Sequence, residues 1–374
     1  MLDVINVIYI LTIFLIIDKY YSINRLYLLI LILHIFSIFL FNGFLFDPNY
    51  MPDQFKYLNV AQNIREFDFF NDDNFGNGYT VYFSGVFFGL FPIPFIDSLY
   101  SIGMINFLLY LFIFLFMYKK GFLHSKLIAY FYLLYPSLIL YSSVALRDML
   151  VFSVMFFGIY FMLFTKKYIF AFGILLLLKF IKFQNLLIFV VSFLLSSLIS
   201  SKNRLKYLLS ASLMLVVVYF MFSDFFTIER LNFYRWAFYN ENLSDVTDTF
   251  IPLNSFGDVL FSAVPSAVKM FFRPLPWMEA GTFQLAQFLE NVGVFCIIMY
   301  ILYLNTKYKI WNLQKVKFLN VLLLLSLVIY GLVSYNSGTA VRYKFPFVTI
   351  YIVYSLYFIY QTKQLYKKSV ECAE

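Results

Sequence analysis

The chain is 374 residues long, 62% apolar and 23% aromatic, with 13% charged residues and a mean hydropathy of +0.80. Such a composition excludes a soluble enzyme, because no soluble core of this length needs so much apolar surface. The net charge of +8 lies in short connectors between apolar runs, so it reports topology and not a nucleic-acid partner.

Runs near 20 apolar residues make the chain all-α and polytopic rather than a barrel. Spans are expected at 4–17, 24–46, 99–118, 127–146, 149–165, 168–181, 185–200, 207–222, 284–304, 318–335 and 345–361. The first run follows Met1–Asp3 with no basic segment and no small-residue cleavage site, so no cleavable leader is expected. Cys296 and Cys372 suggest neither a disulfide framework nor a metal site. Basic residues cluster at Lys119, Lys120 and Lys126, at Lys166 and Lys167, at Lys202 to Lys206, at Lys307 to Lys317, and at Lys363 to Lys368. With alternating spans these connectors fall on one side, which the positive-inside rule makes cytoplasmic. The opposite side then carries a first external loop at 47–78, Arg147, the break at 179–184, a large external loop at 223–283 and the turn at 335–344. The chain is thus read as one polytopic membrane domain over 1–374, with about 11–12 spans. Residues 79–96 are long enough to cross. Gly85, Gly89, Pro92 and Pro94 make us read them as a re-entrant segment, which keeps the first loop outside.

The sparse polar residues define the candidate site. In the first loop, Asp53, Tyr57 and Ala61 are spaced i, i+4, i+8, so a helix puts them on one face and turns a carboxylate to the core. Asp53 is then a base, or an orienting group, for a sugar hydroxyl. At PSLILYSSVALRDML, Arg147 and Asp148 interrupt apolar sequence. An arginine in hydrocarbon costs about 2.5–3.5 kcal/mol, so Arg147 must reach water, an anion or a partner. Snorkelling to headgroups competes with phosphate binding as its role. Lys179, Lys182, Gln184 and Asn185 form a second polar break. The large loop brings Arg230, Arg235 and Arg273, with Trp236, Tyr239 and Trp277 for stacking on sugars or for an interfacial belt. Late in the chain, Asn336 to Thr339 read as a tight polar turn able to present N–H groups to an anion, and Arg342, Tyr343 and Lys344 follow. Arginine forks suit phosphate, so Arg147 and Arg342 read as a diphosphate clamp.

The order of these features resembles the Wzy-type polymerases of O-antigen and capsular repeat units, in their EpsG-like branch, within a GT-C-like superfamily. The matching pieces are the Asp53 to Tyr57 loop, GYTVYFSGVFFGLF, YSSVALRD, KFIKFQNLLIF, the large external loop and GTAVRYKFP. One departure is Phe183, between Lys182 and Gln184, where such chains often carry a histidine. The resemblance implies transfer of a glycan from undecaprenyl diphosphate onto a second lipid-linked repeat unit, at the periplasmic face of a bacterial inner membrane. It implies Asp53, Arg147 and Arg342 as catalytic residues. Tyr57, Asp148, Lys182, Gln184, Arg230, Arg235, Arg273, Tyr343 and Lys344 become substrate-binding residues. No metal or other cofactor is indicated. The implied partners are the lipid-linked oligosaccharide, the bilayer, a chain-length regulator and a flippase, with no nucleic acid. The rivals are a GT-C transferase using a polyprenyl-monophosphate sugar, with a divalent metal at Asp53, and a flippase for the lipid-linked glycan. A flippase should show internal repeats and polar residues within spans, and this sequence has neither.

Overall fold

A computed structural model describes residues 2–76, 78–165, 167–200, 227–240, 249–277 and 281–371. The expected span at 207–222 lies outside the described residues. Within them the regular structure is entirely helical. Among the described residues six helices are long and apolar enough to cross a membrane: Leu99–Lys119, Asp148–Thr165, Phe183–Ser200, Thr282–Lys307, Gln314–Val333 and Ser337–Leu365. The chain is a multi-pass membrane protein. Its internal contacts group it into two compact units, 1–186 and 187–374.

The first unit begins with α1 (Leu2–Tyr21) and α2 (Arg25–Phe41). The expected span 24–46 is cut short at Phe41, where Asn42 closes the helix and Gly43 turns the chain at φ +107°. Two loop helices follow, α3 (Asp53–Arg65) and α4 (Asp72–Gly76). Helix α5 (Tyr79–Leu90) has 12 residues, about 18 Å, against about 30 Å of hydrocarbon. It is too short to cross alone. The chain after it is irregular from Phe91 to Ser98, and Arg65 Nη2 donates to the carbonyls of Phe91 (2.6 Å) and Ile93 (2.8 Å). Helix α6 (Leu99–Lys119) is the buried centre of the unit. The expected span 127–146 is two helices, α7 (Lys126–Leu134) and α8 (Pro136–Ser143), separated at Tyr135 because a residue before proline is pushed out of helical geometry. Helix α9 (Asp148–Tyr160) continues as one π-helical turn through Thr165. Helices α10 (Tyr168–Leu176) and α11 (Leu178–Ile181) lead to Lys182, and α12 (Phe183–Ser200) starts directly after it. The break expected at 179–184 therefore reduces to a single non-helical residue.

The second unit takes up most of α12, then α13 (Ile228–Asn240), α14 (Phe256–Phe272), α15 (Thr282–Lys307), α16 (Gln314–Val333) and α17 (Ser337–Glu371). Ser255 and Asp258 form a capping box at the start of α14. The backbone N–H groups of Asn254 and Ser255 hold the Asp258 carboxyl below the usual carboxylate range. Helix α14 lies so close to α16 that a Cβ on Gly331 would overlap the Ser266 carbonyl. The polar turn expected at 336–339 is instead the first turn of α17. Asn336 Oδ1 accepts the Thr339 N–H at 2.7 Å, and the helix runs on for 35 residues through Pro346. The expected span 345–361 thus begins eight residues too late.

Helix α6 touches the α8 terminus through Gly103, whose missing side chain lets the Ser143 carbonyl approach the backbone. Gly103→Ala is expected to destabilise the protein by about 1–3 kcal/mol, the usual cost of overpacking. Gly173→Ala, in α10, meets no atom within 4 Å and should stabilise by about 0.5–1 kcal/mol through helix propensity. Thermal unfolding of the two variants in the same detergent checks the opposite signs.

Candidate functional site

In the first unit the chemistry gathers at the gap between α8 and α9. Residues 144–147 leave the helix with neither glycine nor proline among them. Their backbone groups are met by three buried amides from different elements. Asn106 Nδ2 on α6 donates to the carbonyls of Val144 (2.8 Å) and Leu146 (2.7 Å). Asn42 Nδ2, after α2, donates to the Ser143 carbonyl (2.9 Å), and Gln54 Oε1 on α3 accepts the Ala145 N–H (2.9 Å). Below the gap, Ser37 Oγ pairs with Ser143 Oγ at 2.7 Å and His34 Nε2 with Ser142 Oγ at 3.0 Å. Bare peptide groups at these positions would cost about 1–3 kcal/mol each.

This brace presents Arg147 at the N-cap of α9. The guanidinium carbon stands 5.9 Å from the centroid of the Tyr57 ring, and Nε and Nη1 are buried without a hydrogen-bond partner among the described residues. Tyr57 is fully buried, as are Val60 and Ala61 beside it on α3. Asp53 does not join that face. Its side chain is 40% exposed and accepts a hydrogen bond from Lys56 Nζ at 3.3 Å. The polar group that α3 turns to the core is Gln54, because the buried face runs 54, 57, 61, 64. Asp148 is buried, with Lys182 Nζ 3.5 Å from Oδ1. The lysine expected to need water or an anion thus has a carboxylate instead. Gln184 points outward and is exposed.

In the second unit a cavity of about 400 Å³ lies along α14. The described residues that line it include three cations, Arg235, Lys269 and Arg273, and no Asp or Glu. Arg235 is 9% exposed. Its Nε donates to the Leu332 carbonyl at 3.0 Å and its Nη1 to Asn232 Oδ1 at 3.2 Å, while Phe250 and Tyr335 flank it at 5.7 and 5.8 Å. Those acceptors are neutral, so they hold the guanidinium without cancelling its charge. Arg273 is 5% exposed and directs Nη1 toward the Ser334 carbonyl. Its position is set from behind. Lys344 Nζ donates to the carbonyls of Phe271 (2.8 Å) and Arg273 (3.1 Å), and Asn291 Nδ2 also donates to the Arg273 carbonyl (2.9 Å). Lys344, expected to touch substrate, is turned instead to the end of α14, where free carbonyls attract a cation. Tyr343 packs on Tyr330 at 4.7 Å. Arg342 is half-buried in the second turn of α17. Arg230 is exposed and lies over Phe233 and Tyr234, at 5.1 and 5.2 Å, away from the cavity lining.

The sequence reading named Lys269 in the large loop without assigning it to the site, and it passed over Gln54, Asn42, Asn106 and Asn291. Lys269 stands four residues before Arg273 on one helix, and that spacing was its available signal. Asn42 and Asn106 are single polar residues in or beside apolar runs, and a membrane helix keeps such a residue facing a partner, whereas Gln54 follows Asp53 and Asn291 follows Glu290, so neither stands out. No family model matches the chain, and neither a curated protein nor a solved structure matches it.

The Asp148–Lys182 pair makes a clean test. Asp148→Asn leaves a buried ammonium and should cost about 3–5 kcal/mol, whereas Asp148→Asn with Lys182→Met should recover most of that loss. Unfolding in detergent measures both.

Proposed function

We propose that the chain is a membrane glycosyltransferase that joins oligosaccharide repeat units carried on undecaprenyl diphosphate, at the outer face of a bacterial inner membrane. The observation that carries the reading is the cavity lined by Arg235, Lys269 and Arg273, with no carboxylate among its described lining residues. Arg235 and Arg273 are buried, Arg235 on neutral acceptors, and Lys269 is exposed beside them; such a group of cations suits a multiply charged anion, and arginine forks suit phosphate oxygens. In the reaction, the acceptor hydroxyl oxygen bonds to the anomeric carbon of the donor glycan. The bond from that carbon to the diphosphate breaks, and its electron pair leaves with the diphosphate. The hydroxyl proton passes to a general base or to water. The cations act on the charge that grows on the leaving group, and such electrostatic terms are often the largest in catalysis. The full count of about 11–12 spans belongs to the same proposal. So does the reading of Arg147 and of Arg342, each within its own unit, as phosphate-binding side chains: Arg147→Lys and Arg342→Lys should each shorten the glycan ladders at unchanged membrane abundance.

Deletion of the gene in its host is expected to abolish long glycan ladders while sparing a core that carries one repeat unit. Loss of the single unit as well would favour a flippase or an earlier transferase. In complementation, Arg235→Lys and Arg273→Lys should each cut polymer formation about 100- to 1000-fold, the range for losing a transition-state donor, at unchanged membrane abundance. Normal ladders from both variants would overturn the diphosphate role of the cavity.

A further inference from the structure

Helix α14 carries a second surface beside the cavity. Its outward stripe is apolar: Phe256 is 69% exposed, Leu260 62%, Phe261 85%, Val264 70% and Val268 53%. These positions recur at the spacing of one helical face. The stripe spans about 18 Å at 1.5 Å per residue. Its polar neighbours lie on the adjoining face, where Ser262, Ser266 and Lys269 line the cavity. Phe261 belongs to both, since it lines the cavity and is largely exposed. The cavity therefore reaches the surface at the apolar stripe.

We propose that this stripe seats the isoprenoid chain of a prenyl diphosphate whose diphosphate occupies the Arg235–Lys269–Arg273 cavity. The inference rests on the diphosphate reading of that cavity and adds the seat of the tail. Charge and polarity select the occupant. A ligand that crosses α14 at Phe261 meets the apolar face on one side and two hydroxyls and three cations on the other. That arrangement complements an amphiphile with a long apolar chain and a multiply charged anionic head. The capping box at Ser255 and Asp258 and the Lys344 bonds at the other end fix both termini of the helix. The stripe and the cavity thus keep one register. Tail and stripe are both apolar, so the tail should add affinity through packing and the head should set orientation.

The test uses the full chain in phosphatidylcholine nanodiscs, with empty nanodiscs as reference. Binding of inorganic pyrophosphate and of farnesyl diphosphate is measured by calorimetry for the wild type and for Leu260→Ser with Val264→Ser. Both positions are exposed, and pyrophosphate affinity reports whether the variant is intact. Farnesyl diphosphate is expected to bind the wild type at least tenfold more tightly than pyrophosphate. The serine variant should lose that preference and keep its pyrophosphate affinity. Equal affinities in the wild type, or a preference that survives the serine substitutions, overturn the tail seat and leave the diphosphate cavity standing. The stripe would then be covered by bulk bilayer. Binding of neither ligand to the wild type overturns both proposals at once.

Discussion

The first unit depends on a constraint of apolar surroundings: peptide groups that leave a helix must find other partners. The gap between α8 and α9 would otherwise leave a cluster of bare N–H and C=O groups in a buried environment. Asn106, Asn42 and Gln54 supply what water supplies elsewhere. Each amide comes from a different part of the chain, so the gap exists only when α2, α3 and α6 are all in place. Gly103 completes the arrangement by letting α6 approach the Ser143 carbonyl. The consequence is a rigid break that projects Arg147 from the start of α9. A side chain held this way has little conformational freedom left to lose, which is the physical content of preorganisation.

Buried charge is treated in two ways in this protein. Asp148 and Lys182 form a close pair, and their mutual attraction offsets the loss of hydration. Arg235 has neutral acceptors and aromatic faces. These orient the guanidinium and leave its charge to act on the cavity. Lys344 works at one remove. Its ammonium lies on the last carbonyls of α14 and fixes the residue that follows, Arg273. One helix end therefore joins a packing role to a cavity role.

Much of the fold was legible because hydropathy and proline act locally. The apolar runs at 99–118, 149–165, 185–200 and 284–304 appear as helices within a few residues of their expected limits. The break before Pro136 is as local, since it follows from the proline ring, but it went unread, and 127–146 was expected as one span. The start of α17 was not legible. Asn336 to Thr339 look like a turn because asparagine, serine and glycine favour one, yet the same residues cap a helix, with Asn336 accepting the Thr339 N–H. The face of α3 was also misjudged by one residue. Periodicity gives a spacing and not a phase, and the phase was set by packing against α5, which buries Gln54 and leaves Asp53 exposed.

The sequence by itself determined the solvent. Its hydropathy demands helices that satisfy their own backbone, and its cations mark where the chain meets water or an anion. Which cations stand together was decided only by tertiary structure. Arg235, Lys269 and Arg273 come from two helices and the residue following one of them, and they meet because α13, α14 and α16 pack around one cavity. Arg230 lies five residues from Arg235 and faces elsewhere, because five residues turn a helix by more than a quarter of a circle from the starting face. Convergence of like charges is opposed by their own repulsion. It therefore has to be imposed by packing and capping, which no local pattern records.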